Sequence, residues 1–110
     1  MTIVYQESDA NIQMLAQRKI AMIGYGNLGR SYALNLRDSG VKLVIGNHPD
    51  RYATLAENDG FTVMSITEAA AMADLLLMAI PDEVMPQIYL EHIATNLKTD
   101  DILIFASAYN

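Results

Sequence analysis

The 110 residues contain no cysteine and no tryptophan, and only three prolines. Without cysteine there is no disulfide, no thiolate nucleophile and no cysteine-based metal site, so the chain needs no oxidising compartment. Basic side chains are scarce: seven stand against thirteen acidic ones, a formal net charge of -6. The average field of such a protein repels polyanions. That argues against a nucleic-acid partner or an anionic membrane surface and leaves room only for a local phosphate pocket. No apolar run approaches the roughly 20 residues that cross a bilayer. The opening MTIVYQESDA lacks the basic region and long apolar run of a signal peptide. A cytoplasmic location is expected. Low-complexity sequence is also lacking, and 52% of the residues are apolar, enough for one domain with a sizeable core.

What is there alternates between strand-like and helix-like text. Residues 1–18 read as an amino-terminal arm, loose, with a short turn or helix. Residues 19–110 read as one partial dinucleotide-binding domain. Ile20 to Ile23 is a short uninterrupted apolar run, the mark of a strand buried on both faces of a parallel sheet. A glycine-rich turn follows, then a helix to about Ser39 with Leu28, Tyr32, Ala33 and Leu36 on its buried stripe. Lys42 to Ile45 is a second strand, and Pro49 opens a second helix that Gly60 stops. Phe61 to Met64 is a third strand, and Ile66 to Met72 a small helix capped by Ser65 or Thr67. Asp74 to Ile80 is a fourth strand. A helix from Pro86 to about Leu97 should turn Ile88, Tyr89, Ile93 and Leu97 to the sheet. Ile102 to Ala106 is a fifth strand.

This alternation predicts an α/β fold: a three-layer, doubly wound parallel sheet, Rossmann-like, truncated after strand five, with strand order 3-2-1-4-5. Strand five is expected to be an exposed edge unless something pairs with it, which would permit self-association.

Gly24-Tyr25-Gly26-Asn27-Leu28-Gly29 matches G-x-G-x-x-G between a buried strand and a helix, the context that makes the pattern informative. Gly24 permits the tight turn, Gly26 lets a pyrophosphate approach the backbone, and Gly29 lets the helix lie close to the sheet. The free N–H groups and dipole at the helix start favour the anion. Arg30 could add charge there or be merely solvated. Strand two ends in Ile45-Gly46-Asn47-His48, with no carboxylate for a ribose. In the turn that follows, His48 and Arg51 could pair with a ribose phosphate, which means NADP. Asp50 could instead accept from two ribose hydroxyls, which means NAD, or simply start the next helix. NADP is the favoured reading. Ile80, Pro81 and Asp82 end strand four on the same crevice, either as a plain helix start or as contacts to the nicotinamide half. Ser107, with Tyr109 and Asn110, ends strand five on that rim. His48 and His92 fit no metal-ligand spacing, His92 reads as an exposed or packed helix residue, and Asp38 and Asp59 read as turn polar residues. No metal site and no catalytic residue is assigned.

Ile20 to Val41, IAMIGYGNLGRSYALNLRDSGV, resembles the amino-terminal domain of ketol-acid reductoisomerase, also called acetohydroxy-acid isomeroreductase. The run ALNLRDSGV from Ala33 to Val41, Ala69-Ala70, Pro81 to Val84, Ile93 to Lys98 and the arm residues Tyr5, Asp9, Ala10 and Leu15 extend the likeness over essentially the whole chain. The resemblance implies an oxidoreductase of branched-chain amino acid biosynthesis that isomerises and reduces 2-aceto-2-hydroxy acids with NADPH, less often NADH, and two magnesium ions. It also implies that the metal-binding helical domain is absent from these residues and that the chain is a fragment or a short paralogue. Hydride transfer from NAD(P)H to a keto or imine substrate would then need parts outside this chain. Two departures stand out. Ser107 occupies a position where the family usually carries histidine, so no ionisable imidazole is available there. His48 takes the place of an arginine in a turn about one residue shorter. The alternative is a non-catalytic nucleotide-sensing or partner-binding domain derived from the same family.

Overall fold

Ile20 to Ile23 and Leu75 to Met78 are buried at every position, as happens only where helices cover both faces of a sheet. The computed structural model describes residues 3–6, 18–81 and 83–105. Its strands are β1 (Ile3–Gln6), β2 (Ile20–Ile23), β3 (Leu43–Gly46), β4 (Val63–Met64), β5 (Leu75–Met78) and β6 (Ile102–Phe105). All pairings are parallel, in the order β1-β6-β5-β2-β3-β4. Strands β2 to β6 therefore reproduce the expected 3-2-1-4-5 arrangement.

The arm departs from expectation. Ile3–Gln6 is a strand rather than a loose turn or helix, and it pairs with β6 from Ile3 opposite Ile102 to Gln6 opposite Phe105. It thus takes the sixth place that a doubly wound sheet usually fills from later in the chain. Strand five of the sequence reading is consequently not an edge. The edges are β1 and the two-residue β4.

Helices α1 (Asn27–Asp38) and α2 (Arg51–Asn58) pack on one face with Tyr25, Ala33, Ala56 and Phe61 in the core. Leu28 stays outside that cluster, and Leu34 packs with Tyr32 and Leu36 instead. On the other face lie α3 (Ile66–Met72) and α4 (Met85–Ile88). The chain continues from α4 as a π-helical turn, Tyr89–Ile93, and a 3-10 turn, Ala94–Asn96. Ile93 is buried and Ile88, Tyr89 and Leu97 pack around it, as expected, but through an irregular helix rather than one α-helix.

Local chemistry closes the turns. Asp50 caps α2, its carboxylate accepting from the N–H groups of Tyr52 and Ala53. Ser65 and Glu68 form a reciprocal capping box at α3. Asp101, at the start of β6, is 1% exposed. It accepts the Lys98 backbone N–H at 2.8 Å and sits 3.4 Å from the Lys98 ammonium, which also donates to the carbonyls of Ala71 and Ala73. That lysine therefore binds the end of α3 to the turn before β6. Ser65→Ala, which breaks the box, is expected to lower stability by about 1 kcal/mol. The urea midpoint should fall with an unchanged m-value, and an unaltered midpoint would show the cap to be dispensable.

Candidate functional site: the glycine turn at the carboxyl edge of the sheet

Strand β2 must reverse into α1 within three residues, and only a bare main chain fits. Gly24 has φ +96, a region costly for any side chain, and a Cβ there would meet the Ala79 carbonyl and the Ile80 side chain, each at 2.8 Å. Its N–H donates to the Gly46 carbonyl at 2.9 Å. The turn is thereby fixed between the ends of β3 and β5, at the switch point where the sheet's winding reverses. Gly29 lies so close that a methyl group would overlap the Gly24 carbonyl. Gly26 is different. It has φ -70, and nothing lies within 4 Å of where its Cβ would be. The middle glycine therefore faces open space, and its lack of a side chain serves no packing purpose.

Gly26 is also the N-cap of α1, without a side-chain cap, and the first turn carries no acidic residue. By contrast α2 and α3 are closed by Asp50 and by Ser65 with Glu68. The amides of Asn27, Leu28 and Gly29 lie in that uncapped first turn, where the helix dipole adds partial positive charge. A bare cradle below an uncapped helix start fits a diphosphate.

The other predicted residues distribute unevenly. Asn47, His48, Asp50 and Arg51 share the turn after β3, and Ile80 and Pro81 follow β5 beside Gly24. These three loops converge on one edge of the sheet. Asp82 and Ser107 lie outside the described residues, as do Tyr109 and Asn110. Tyr25 is 1% exposed. Its ring packs edge-on against Phe61 and its hydroxyl donates to Asp59 at 2.6 Å. Only its main chain can take part in a cradle. Asp50 Oδ1 accepts from three donors, the amides of Tyr52 and Ala53 and Asn47 Nδ2. Arg51 donates to the Tyr52 hydroxyl at 2.9 Å. A groove of about 530 Å³ lies between α2 and β4, lined by Asn47, Pro49, Asp50, Met64 and Ser65 among others, and does not reach the glycine turn.

Sequence reasoning missed two features. Asp59 is a hub rather than an idle turn residue: its carboxylate takes Tyr25 and both Nε and Nη2 of Arg30, at 2.6, 2.9 and 3.3 Å. Its carbonyl accepts from Arg37, whose guanidinium lies 4.5 Å above the Phe61 ring. Arg30 is thus committed to Asp59. Hydrogen bonds from Arg30 first and Tyr25 second hold the Asp59 carboxyl at about 2, below its ordinary 3.8. Burial first, and then the Asp59 carboxylate, push the Tyr25 hydroxyl up to about 12 from 10.0. The second is His92, which meets His48 across the two loops with ring centroids 5.8 Å apart. No spacing in the sequence signals either contact.

These shifts set a pH profile. Asp59 is depressed, so its contribution is complete above pH 3.8 and is lost as pH falls toward about 2. Tyr25 is raised, so its contribution is complete below pH 10 and is lost as pH rises toward about 12. Urea unfolding across pH should show both limbs, and Asp59→Asn should flatten the acid one. An acid limb unchanged in that variant would refute the hub.

Against known proteins, the family description "Acetohydroxy acid isomeroreductase, NADPH-binding domain" matches residues 14–110. A Caldivirga maquilingensis protein named ketol-acid reductoisomerase (NADP(+)) is 40% identical over 110 residues, covering 100% of this chain and 34% of its own. The structure of an NADH-preferring ketol-acid reductoisomerase from an uncultured archaeon aligns with a TM-score of 0.82 at 35% identity, over 90% of this chain and 32% of that one. Mycobacterium tuberculosis 3-hydroxyisobutyrate dehydrogenase aligns with a TM-score of 0.72 at 26% identity, over 81% of this chain and 31% of that one. The chain spans about a third of the length of these relatives.

Proposed function

Because the chain belongs to the acetohydroxy acid isomeroreductase family, whose nucleotide-binding domain it matches, we propose that it holds NADP(H) for the reductive half of that family's reaction. The open space over Gly26, at the uncapped start of α1, carries this reading. The diphosphate lies on the amides between Gly24 and Gly29, where bare main chain allows hydrogen-bond distance. The adenosine ribose lies against the turn Asn47, His48, Asp50 and Arg51. The nicotinamide half extends past Ile80 and Pro81.

The choice of NADP over NAD rests on how the turn after β3 spends its groups. An NAD site needs a carboxylate for the ribose hydroxyls. The Asp50 carboxylate is held to the start of α2 and to Asn47 through three donors on Oδ1, which fixes it as a cap. His48 and Arg51 are both exposed and can meet a phosphate. Family relatives of both preferences exist by name, so the turn itself must decide.

When bound, the reduced nicotinamide supplies the hydride. This chain's residues do the rest of what a cofactor wall does. They fix the diphosphate, exclude water along the edge of the sheet and orient the ring by way of the β5 end. The acceptor is a small keto or imine acid held by parts outside these residues. Among the described residues no three His, Asp or Glu side chains converge as a metal site. The two magnesium ions that the family resemblance implies would be held by carboxylates of parts outside these residues. No helix among the described residues is long and apolar enough to cross a membrane.

Titration calorimetry with NADPH and NADH tests the reading. Saturable binding is expected, tighter for NADPH. Gly26→Val should raise Kd at least tenfold by filling the cradle, while costing no more than about 1 kcal/mol of stability because φ at that position is ordinary. Wild-type affinity in Gly26→Val would place the diphosphate elsewhere.

A further inference from the structure

His48 follows β3 and His92 lies in the π-helical turn after β5, forty-four positions apart in the chain. Their rings meet edge to face, 5.8 Å between centroids at 73°. The contact is held from a third element. Thr67 Oγ1, in the first turn of α3, lies 2.8 Å from His92 Nδ1. Glu91 Oε2 lies 3.7 Å from His92 Nε2. His48 itself is exposed, while His92 is half-buried behind it. A π turn pairs each N–H with the fifth residue back and so displaces side chains from their α-helical faces, a distortion that recurs at functional sites.

The geometry points to His48, positioned by His92, as the group that recognises the adenosine 2′-phosphate, so that preference for NADP over NAD is set by pH. The inference rests on the reading of the turn after β3 as the ribose site. It adds a residue from another element, His92, and a dependence that a guanidinium-based turn would not have.

The neighbouring charges decide the sign. On the same turn stand the Asp50 carboxylate, committed to the start of α2, and Arg51, bonded to the Tyr52 hydroxyl. On α3, Glu68 accepts from the Ser65 amide. On the segment after β5, Glu91 faces His92 and also accepts from Gln87. The guanidinium of Arg51 keeps its charge throughout neutral pH. Imidazole is the side chain whose charge changes between pH 5 and 8. A phosphate monoester gains negative charge as pH rises through about 6. The ligand and Arg51 together would therefore make NADPH binding stronger or level with rising pH. Only loss of the imidazole proton makes it weaker.

The test is the ratio of NADH to NADPH dissociation constants, measured on the purified protein by calorimetry at several pH values between 6 and 8. NADH, lacking the 2′-phosphate, is the internal control. The preference for NADPH is expected to fall by about tenfold from pH 6 to pH 8, the effect of one charge-assisted hydrogen bond. His48→Asn should remove the slope. His92→Phe keeps a ring beside His48 but neither the Thr67 bond nor a charge, and should flatten the slope. A wild-type ratio that is level or rises with pH overturns the inference while leaving cofactor binding intact. A slope unchanged in His92→Phe overturns the pairing. Absence of binding by either cofactor overturns both this inference and the proposed function.

Discussion

The whole arrangement depends on a steric constraint: three loops meet where only main chain fits. Gly24 adopts a positive φ against the Ala79 carbonyl, and Gly29 presses α1 onto the turn. A side chain at either position would push the helix away from the sheet. The hydrogen bond from Gly24 to the Gly46 carbonyl then fixes that turn to β3. The proposed cofactor site follows from this closeness, because it leaves the start of α1 without a side-chain cap at the turn.

Charge is distributed so that little positive potential is left over. The protein carries a net -6, and of its few cations Arg30 is tied to Asp59 and Lys98 to Asp101 and the end of α3. The Asp59 hub holds Tyr25, the second residue of the glycine motif, into the core beside Phe61. The turn is thus braced on its far side by an ion pair and a buried phenol, and on its near side it offers backbone dipoles. In the proposed binding mode, phosphate recognition falls to Arg51 and His48, both exposed beside the end of β3. This is why the acidity of the protein and the anionic character of its ligand are compatible.

The sheet manages its edges with the arm. β1 supplies a sixth parallel strand beside β6, so the strand that would otherwise be open is covered along four residues. The remaining edge on the other side, β4, is two residues long. Short edge strands offer little template for pairing with another chain. The edge strand on the β6 side is therefore β1 rather than β6.

Hydrophobic runs such as Ile20 to Ile23 and Leu75 to Met78, the capping residues Asp50 and Ser65, and the glycine spacing determined by themselves the parallel α/β fold, the strand order 3-2-1-4-5 and the position of the glycine turn. Each is a local signal with a short physical range: burial period, a cap three residues long, a turn of six. Tertiary structure alone decided the rest. The pairing of β1 with β6 joins residues about 100 positions apart. The Tyr25–Asp59–Arg30 hub and the meeting of His48 with His92 depend on how α2 and the π turn come to rest on opposite faces of one sheet. Such contacts are fixed by packing and helix register, which no spacing along the chain encodes.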